Sequence, residues 1–332
     1  MGWLLLAALP LGACDAGSPG GDEAASGSDV GLSEGGAGPS GGDEAAPPAD
    51  AEAAPEPVRD DDGRRVALDE PAERVVSLVP SATDLLVAMD GKERLVARTR
   101  HDQDPRLADI PSVGTGLEPN LEAVAALDPD LVVAQKDARA RAAVEPLEVL
   151  GIPVYVAEAG ELEDLQRHSR QMGGLVGLEE RADSLAHAIQ GELEEVAARV
   201  EGADPVDVLY ILHPDPPFTT GSGTYLHEVI EAAGGANVFG DVEREWPEVS
   251  MEAVVRRDPD VVVASRGHEE GGAEEDWLRE RSGWRSVPAV EAGRVLTVDP
   301  DLFNRPGPRV GEAARVLARF LHPDRFDEAD RP

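Results

Sequence analysis

A sixteen-residue stretch occurs twice in this sequence, and the repeat constrains the fold more than any other feature. PNLEAVAALDPDLVVA at 119–134 and VSMEAVVRRDPDVVVA at 249–264 share nine of sixteen residues at an offset of 130. Asn120 and Ser250 are good helix N-caps, and the following Asp-Pro-Asp ends each helix ahead of a short apolar strand. The repeat therefore predicts two similar α/β lobes in one chain, with a cleft between them.

A common helix-to-strand connection is the alternative explanation of the repeat, because Asp-Pro-Asp before a β-branched run is not rare. The shared residues extend beyond that connection, however, to Glu122 and Glu252 and to the Ala-Val pair that follows each. Both glutamates fall in a first helical turn, where a carboxylate suits the helix dipole. The wider match favours a true structural repeat.

The amino-terminal segment predicts export from the cytoplasm. Residues 1–13 are an apolar run that ends in Leu-Gly-Ala before Cys14, which resembles the lipobox of bacterial lipoproteins. The resemblance implies cleavage before Cys14, acylation of its thiol and an extracytoplasmic protein anchored to a membrane by lipid. A buried core cysteine is the alternative, and the lack of Lys or Arg in the segment leaves open whether Met1 is the true start. Because Cys14 is the only cysteine, the chain has no intramolecular disulfide and no thiolate metal cluster.

Residues 15–58 predict a disordered acidic tether. They contain ten acidic residues and no basic one, and they have no apolar periodicity that would form a core. About 270 residues remain, which is enough for two ordinary domains. Acidic residues outnumber basic ones 66 to 30, so the composition argues against binding of nucleic acid by the folded part.

The folded part alternates strand and helix patterns, which predicts parallel sheets covered by helices. The N-terminal α/β lobe is expected at 59–158, where a strand ending at Pro80 is followed by a helix with Ser81 as its cap. A linking region at 159–204 contains one long amphipathic helix at 179–200. The C-terminal α/β lobe is expected at 205–323, and 324–332 is a tail.

Seven short segments carry a family resemblance. In order they are RVVSLVPSAT at 74–83, NLE at 120–122, LGIPV at 150–154, PFTTG at 217–221, GGANVF at 234–239, WPEVSME at 246–252 and RPGPR at 305–309. Over residues 73–322 this order resembles the cobalamin-type periplasmic substrate-binding proteins of ABC importers. The resemblance implies an α/β fold of two parallel-sheet lobes joined by a single long backbone helix, with the ligand cleft between the lobes.

The same resemblance implies a transport function. It predicts a protein that captures cobalamin or a related corrinoid and delivers it to an ABC permease dimer with its ATPase, with no intrinsic cofactor. Haem and ferric siderophores are the alternative ligands, because the wider family binds both. No Walker, Gly-x-Ser-x-Gly or His-Glu-x-x-His pattern is present, so catalysis is not predicted. A metal-dependent hydrolase or chelatase that uses His101, Asp102 and Asp104 is the remote rival.

Aromatic residues in two loops are the main candidates for ligand contact. The chain has only twelve aromatic residues, and Phe218 and Trp246 both fall in loops that precede helices. The resemblance implies that aromatic rings at these positions line the cobalamin cleft, where a flat apolar ring suits the face of a corrin or porphyrin. Packing within one lobe is the alternative. Tyr225, in a first helical turn, is a third candidate.

Two polar loops supply further candidates. The resembling family has an aromatic residue near the position of His101, and a histidine there is able to cap cobalt or iron through a ring nitrogen, which strengthens haem as an alternative ligand. A purely structural loop is the competing interpretation of residues 101–104. Ser222 lies in Gly-Ser-Gly-Thr at 221–224, which precedes a helix and is compatible with an anion nest for the phosphate of a cobalamin nucleotide loop.

Glu122 and Glu252 are the candidates for contact with the transporter. They occupy equivalent places in the two repeat copies, and the resemblance implies that such glutamates dock the two lobes onto a two-fold symmetric permease. The alternative is that each carboxylate only favours its own helix dipole, an effect of about 0.3–1 kcal/mol.

Overall fold

Each copy of the sequence repeat supplies a helix and the strand after it to a four-stranded parallel sheet. The structure is a computed structural model that describes residues 54–158, 160–265 and 277–326. The predicted lipobox and Cys14 lie outside the described residues, as does all of the predicted tether except residues 54–58. The strands are Val58–Arg59 (β1), Arg65–Val66 (β2), Val75–Ser77 (β3), Leu95–Ala97 (β4), Leu131–Gln135 (β5), Val154–Ala157 (β6), Val206–Ile211 (β7), His213–Pro214 (β8), Pro217–Phe218 (β9), Gly235–Asn237 (β10), Val261–Ser265 (β11) and Val295–Val298 (β12).

The helices alternate with these strands, as the sequence pattern predicts. None of the helices in the described residues combines the length and apolar character that crossing a bilayer requires. The helices are Pro80–Ala88 (α1), Leu121–Ala126 (α2), Ala138–Val149 (α3), Leu162–Leu175 (α4), Glu179–Val200 (α5), Tyr225–Ala232 (α6), Met251–Arg257 (α7), Pro288–Glu291 (α8), Pro300–Phe303 (α9) and Val310–Leu321 (α10).

Two parallel sheets confirm the predicted fold class. The N-lobe, residues 58–158, has the strand order β4-β3-β5-β6, and the C-lobe, residues 205–323, has the order β10-β7-β11-β12. The repeat strands β5 and β11 each lie between two parallel neighbours, where both of their edges are hydrogen-bonded. All five residues of β11 and the first four of β5 are buried, which explains their continuous apolar sequence.

The repeat helices begin and end in the same way in both lobes. The Asn120 side chain accepts a hydrogen bond from the third helical amide of α2, and the Ser250 side chain does the same for α7. Each helix then runs into the first Asp of Asp-Pro-Asp, which has a left-handed φ of 47° at Asp128 and 44° at Asp258. Short polar residues such as Asp tolerate this conformation best after glycine, so they stop the helix where the strand must start.

The second Asp of each Asp-Pro-Asp ties the repeat to the neighbouring strand. The Asp130 carboxylate accepts hydrogen bonds from the amides of Glu73 and Arg74, just before β3. The Asp260 carboxylate accepts one from the amide of Asp207 in β7. The repeated motif therefore fixes a strand pairing as well as a helix end, and this explains why it recurs as a unit.

The predicted long helix is α5, whose bounds are the predicted ones. One face of α5 packs into a continuous core that includes buried residues of both lobes, such as Leu86 and Ile230. The sequence analysis did not identify α4, which precedes α5 and packs along it. The buried residues of α5 are Ala182, Ala186, Ile189, Leu193, Val196 and Val200.

Two local details differ from the sequence expectations. Helix α1 begins at Pro80 with Val79 as its N-cap and no side-chain cap, so the prediction of Ser81 as the cap is wrong. Proline suits the first helical position because its fixed φ is helical and no amide there needs a partner. Val58, the last residue of the predicted tether, pairs with Val66 in a short hairpin at the start of the N-lobe.

Candidate ligand-binding cleft

A cavity of about 360 Å³ lies between the N-lobe, α4 and the C-lobe. Its walls contain the turn into α1 on one side and residues 300–306, from α9 onward, on the other. Leu165, His168 and Met172 of α4 form its floor. The remaining lining residues are Val79, Pro80, Ser81, Ala82, Leu85, His101, Gln135, Ala157, Glu158, Gly160, Glu161, Pro300, Asp301, Asn304, Arg305 and Pro306.

His101 lines this cavity, as a predicted ligand residue should, but the carboxylates beside it turn away. Asp102 is buried and accepts hydrogen bonds from the amide and hydroxyl of Thr99. Asp104 caps a short 3-10 turn and pairs with Arg106 at 2.6 Å. Among the residues that the structure describes, no group of three His, Cys, Asp or Glu side chains is arranged to hold a metal ion.

Arg305 joins the two walls of the cleft. Its Nη2 atom donates to the carbonyl of His101 in the N-lobe at 2.6 Å and lies 2.7 Å from Oδ1 of Asp301 in the C-lobe. Its Nη1 atom lies 3.8 Å from Oδ2 of Asp84 in α1. Burial raises the pKa of Asp84 to about 6. The positive charge of Arg305 opposes this increase, and the negative charge of Asp102 adds to it. Arg305 was not predicted as a site residue, although it begins the quoted RPGPR segment.

Carboxylates dominate the charged lining of the cavity. Glu158, Glu161 and Asp301 line it, whereas Arg305 is the single guanidinium in the lining that the described residues provide. Glu158 pairs with Lys136 at 2.5 Å. Glu245 belongs to the C-lobe and is not a lining residue. Burial, and to a smaller extent the negative charge of Glu158, raises the pKa of Glu245. Lys136 and Arg305 pair with two of the three lining carboxylates, so Glu161 leaves the lining with a small excess of negative charge.

The floor contains a histidine–carboxylate pair that the sequence analysis missed. Nε2 of His168 lies 2.7 Å from Oδ2 of Asp61, a residue of the hairpin between β1 and β2. Arg167 pairs with the other Asp61 oxygen at 2.8 Å, and the amide of Glu158 donates to the oxygen shared with His168. Burial raises the pKa of Asp61, but the Glu158 amide, His168 and Arg167 outweigh it and hold that pKa below its ordinary value.

Phe218 and Trp246 lie on two adjoining antiparallel segments of the C-lobe. The amide of Thr219 donates to the carbonyl of Pro247, and the amide of Val249 donates to the carbonyl of Pro217. Both rings are half-buried, and neither belongs to the lining of the cavity. The two predicted aromatic residues thus lie on neighbouring backbone segments, and their contact with a ligand stays a prediction.

Gly221 allows these segments to approach closely. A Cβ atom at this position would lie 2.1 Å from the carbonyl oxygen of Arg244, so only glycine fits there. The chain that continues from Gly221 into α6 is tied to the cavity wall at Gly160. The amide of Tyr225 donates a hydrogen bond to the carbonyl of this lining glycine at 2.9 Å.

Tyr225 lies beneath Trp246 rather than on an open surface. The two ring centroids are 6.2 Å apart, and the Tyr225 side chain is buried with its hydroxyl donating to the carbonyl of Phe303. This arrangement makes Tyr225 a support for Trp246 in the structure. The position of Tyr225 in a first helical turn does not predict this burial, because a residue there points inward or outward according to the register of the helix.

Two of the amides expected to form an anion nest, those of Gly221 and Ser222, already donate to backbone carbonyls. The amide of Gly221 donates to Glu245, and both the amide and the hydroxyl of Ser222 donate to the carbonyl of Val242. Thr224 caps α6 by accepting from the amide of His227. These bonds close the loop before α6, and a role of Ser222 in binding an anion stays a prediction.

Glu122 and Glu252 are both exposed in the first turns of α2 and α7. Glu252 has a side chain 89% exposed and its nearest cation, Arg256, is 3.6 Å away on the same helix. The repeat thus presents one accessible carboxylate from the equivalent helix of each lobe.

The model of the periplasmic binding protein family matches residues 75–302, which span both sheets and the cleft. The chain belongs to this family. Periplasmic binding proteins are extracytoplasmic, non-enzymatic components of ABC transporters and work with permease and ATPase partners. The matched region thus confirms the predicted class of transport protein.

Two relatives cover most of the chain. The uncharacterized ABC transporter substrate-binding lipoprotein YvrC of Bacillus subtilis is 30% identical over 285 residues, which are 83% of this chain and 88% of that protein. The vitamin B12-binding protein of Salmonella typhimurium is 31% identical over 250 residues, which are 75% of this chain and 90% of that protein.

Solved structures agree with the observed fold. The periplasmic vitamin B12-binding protein BtuF of Vibrio cholerae superimposes with a TM-score of 0.64 at 26% identity, covering 77% of this chain and 99% of that chain. A periplasmic haem-binding protein of Pseudomonas aeruginosa superimposes with a TM-score of 0.67, also at 26% identity. The match covers 76% of this chain and 93% of that chain. The family and the fold are common to proteins named for two different tetrapyrrole ligands.

Proposed function

We propose that this periplasmic binding protein captures cobalamin or a related corrinoid in the cleft between its lobes. The charge of the cavity carries the proposal, because three carboxylates line it against Arg305 and the Lys136 that pairs with Glu158. Haem has two carboxylates and ferric siderophores are commonly anionic, so an acidic cleft repels them. A corrinoid instead carries many carboxamides, whose N–H groups donate to carboxylates without charge repulsion. The names of the vitamin B12-binding relatives support the same ligand class.

The two sides of the cleft would hold such a ligand by different means. Phe218 and Trp246 offer flat apolar rings from the C-lobe, which suit the face of a corrin. His101, Glu158 and Arg305 offer polar groups at the edges, which suit its peripheral amides. A mostly apolar contact with a few directed polar groups is the usual composition of a small-molecule site.

Titration of the purified protein tests this ligand. Cobalamin, cobinamide, haem and a ferric siderophore are added separately, and binding is measured from visible spectra and quenching of tryptophan fluorescence. We expect corrinoids to bind more tightly than haem, and we expect added salt to narrow the difference because it screens the carboxylates. Tighter binding of haem or the siderophore at low salt would contradict the proposal.

Haem is the second candidate ligand, and the position of His101 favours it. This histidine lines the cavity, and its ring nitrogen is a suitable axial ligand for haem iron. Under this alternative, haem binding produces the visible spectrum of a histidine-ligated haem, and His101→Ala changes that spectrum. A spectrum that is identical in the variant would remove the observation that favours haem.

We also propose that Cys14 carries the lipid anchor. The Leu-Gly-Ala sequence before it and the name of the lipoprotein relative support this assignment. Cys14→Ala should move the protein from the membrane to the soluble fraction and leave ligand affinity unchanged. A variant that stays on membranes after a salt wash would contradict it.

We further propose that Glu122 and Glu252 dock the two lobes onto the permease. Their equivalent positions and exposure support this role, since a two-fold symmetric partner would present two equivalent basic patches. Docking by a few exposed charges at the rim affects association more than the stability of either partner.

A further inference from the structure

The floor of the cavity offers one hydrogen-bonding side chain between two apolar ones. Leu165, His168 and Met172 are spaced by three and four residues, so they share one face of α4. Leu165 and Met172 are buried in the core, and His168 is only 6% exposed. A ligand that reaches the floor therefore meets the imidazole ring as the polar group of that face.

Asp61 fixes the proton of this imidazole. Its carboxylate is held ionised by Arg167 and by the amide of Glu158, so it acts only as an acceptor toward Nε2 of His168 at 2.7 Å. Nε2 must then carry the hydrogen, which leaves Nδ1 with a free lone pair in the neutral ring. Tyr155 packs edge-on against the ring, with centroids 6.2 Å apart and planes at 86°, and restrains its orientation.

The contact with Asp61 ties the β1–β2 hairpin to α4 and uses only one of the two ring nitrogens of His168. Nδ1 has no hydrogen-bond partner within residues 54–158, 160–265 and 277–326, although His168 lines the cavity. Burial lowers the pKa of His168 below its ordinary value against the attraction of Asp61, which favours the neutral ring at pH 7. A neutral ring that donates to a carboxylate on one side is an acceptor on the other.

We propose that His168 is a specificity-determining residue that accepts a hydrogen bond at Nδ1 from a peripheral carboxamide of the corrinoid, and that Asp61 is its positioning residue. This inference rests on the proposed function. A carboxylate in the same place has no hydrogen to donate, so its oxygen would face the Nδ1 lone pair and both groups would lose their solvation. The floor thus selects carboxamides over carboxylates by the direction of one hydrogen bond.

The tautomer is measurable without any ligand. Long-range ¹H–¹⁵N spectra of the protein at pH 7 should show His168 in the neutral form with hydrogen on Nε2. Asp61→Asn should weaken this preference, because an amide is able either to donate to the ring or to accept from it. Hydrogen on Nδ1, or an imidazolium at pH 7, would overturn the inference whatever ligand the protein binds.

Affinity for two matched corrinoids tests the selection itself. One carries peripheral carboxamides and the other is the same corrin with those groups hydrolysed to carboxylates. His168→Leu should weaken binding of the carboxamide ligand about tenfold and narrow the preference between the two ligands. Compared with His168→Leu, His168→Gln should recover part of the affinity for the carboxamide ligand and part of the preference between the two ligands. Glutamine is able to donate to Asp61 and to accept from the ligand. His187→Leu, at an exposed histidine of α5 that bonds only to its own helix, is the control.

The outcomes separate the inference from the function on which it rests. If the unaltered protein binds neither corrinoid, the proposed function fails and the inference fails with it. If the protein binds corrinoids and His168→Leu weakens both equally, or neither, the function stands and the inference is wrong. The thermal midpoint of each variant is measured as well. A variant with lower affinity and a much lower midpoint has lost affinity through damage to the folded structure around α4.

Discussion

The two lobes share the arrangement of their repeated helix and strand and differ in their content of aromatic side chains. Both build a four-stranded parallel sheet around the repeated helix and strand, with the same caps and the same left-handed aspartate. Nine of the twelve aromatic residues, however, lie between residues 205 and 323, whereas residues 59–158 contain only Tyr155. The repeated fold therefore carries two different sets of side chains, and the proposed ligand contacts of Phe218 and Trp246 both fall in the lobe that is rich in aromatic residues.

The exposed glutamates Glu122 and Glu252 occupy equivalent positions in the two lobes. Reversing the charge of both is expected to have the largest effect of all the substitutions, and the effect is on uptake. Glu122→Arg combined with Glu252→Arg should abolish uptake of labelled ligand by cells, because each new guanidinium would face a basic patch of the permease. Ligand affinity and the thermal midpoint should barely change, since both side chains are exposed.

A matched control uses Glu145→Arg with Glu291→Arg, one further exposed glutamate from each lobe. This pair makes the same change in net charge and should leave uptake near normal. If the control also abolishes uptake, the effect comes from overall charge and not from docking. Normal uptake by the Glu122 and Glu252 double variant would show that the two lobes do not dock through these residues.

The sequence predicted the fold well because the fold depends on local signals. Caps at Asn120 and Ser250, the Asp-Pro-Asp helix ends and the amphipathic pattern of α5 are all read within a few residues, and the structure confirms each. The cap of α1 was misassigned because proline at the first helical position competes with serine as a start signal. Such an error moves a boundary by one or two residues without changing the topology.

The site was predicted less completely because its contacts join distant parts of the chain. His168 and Asp61 are 107 residues apart, and no local pattern connects a hairpin aspartate with a histidine on α4. The Arg305 contact with the carbonyl of His101 spans 204 residues. Tyr225 and Ser222 have plausible binding chemistry, but their hydroxyls bond within the C-lobe, which only the packed structure reveals.

Asp84 gives the contact between the lobes a distinct dependence on pH. Its pKa is raised to about 6 in the fold, above the ordinary 3.8, so the folded protein binds a proton that the unfolded chain releases. Stability from this group is complete below about pH 4 and is lost as the pH rises through 6. The difference is at most about 3 kcal/mol, and less because the side chain is 29% exposed.

Denaturant unfolding at pH 5 and pH 7.5 measures this contribution. The free energy of unfolding of the unaltered protein should fall between these two values by more than that of Asp84→Asn, which lacks the titrating group. Asp301→Asn is the matched control from the opposite side of Arg305. An equal pH dependence in Asp84→Asn and the unaltered protein would show that burial and Asp102 do not raise the pKa of Asp84 as described.

The aromatic side of the cleft should contribute more to affinity than the polar side. Trp246→Ala should weaken corrinoid binding by about 1–3 kcal/mol, the range for loss of a packed aromatic contact, and His101→Ala should weaken it less. Titration by visible absorbance measures both. Phe326→Ala is the control, because this partly buried ring packs near Arg199 at the end of α5. Unchanged affinity in Trp246→Ala would place the tryptophan outside the ligand site.

The smallest expected effect tests whether the two repeat copies are energetically as well as structurally equivalent. Asn120→Ala and Ser250→Ala each remove one side-chain acceptor from a first-turn amide, at Ala123 and Ala253, and each should lower the free energy of unfolding by about 1 kcal/mol. Because a single core spans both lobes and α5, each variant should unfold in one transition shifted by a similar amount. Two separate transitions, or a loss confined to one variant, would mean that the lobes are stabilised independently and that the repeat is equivalent in geometry alone.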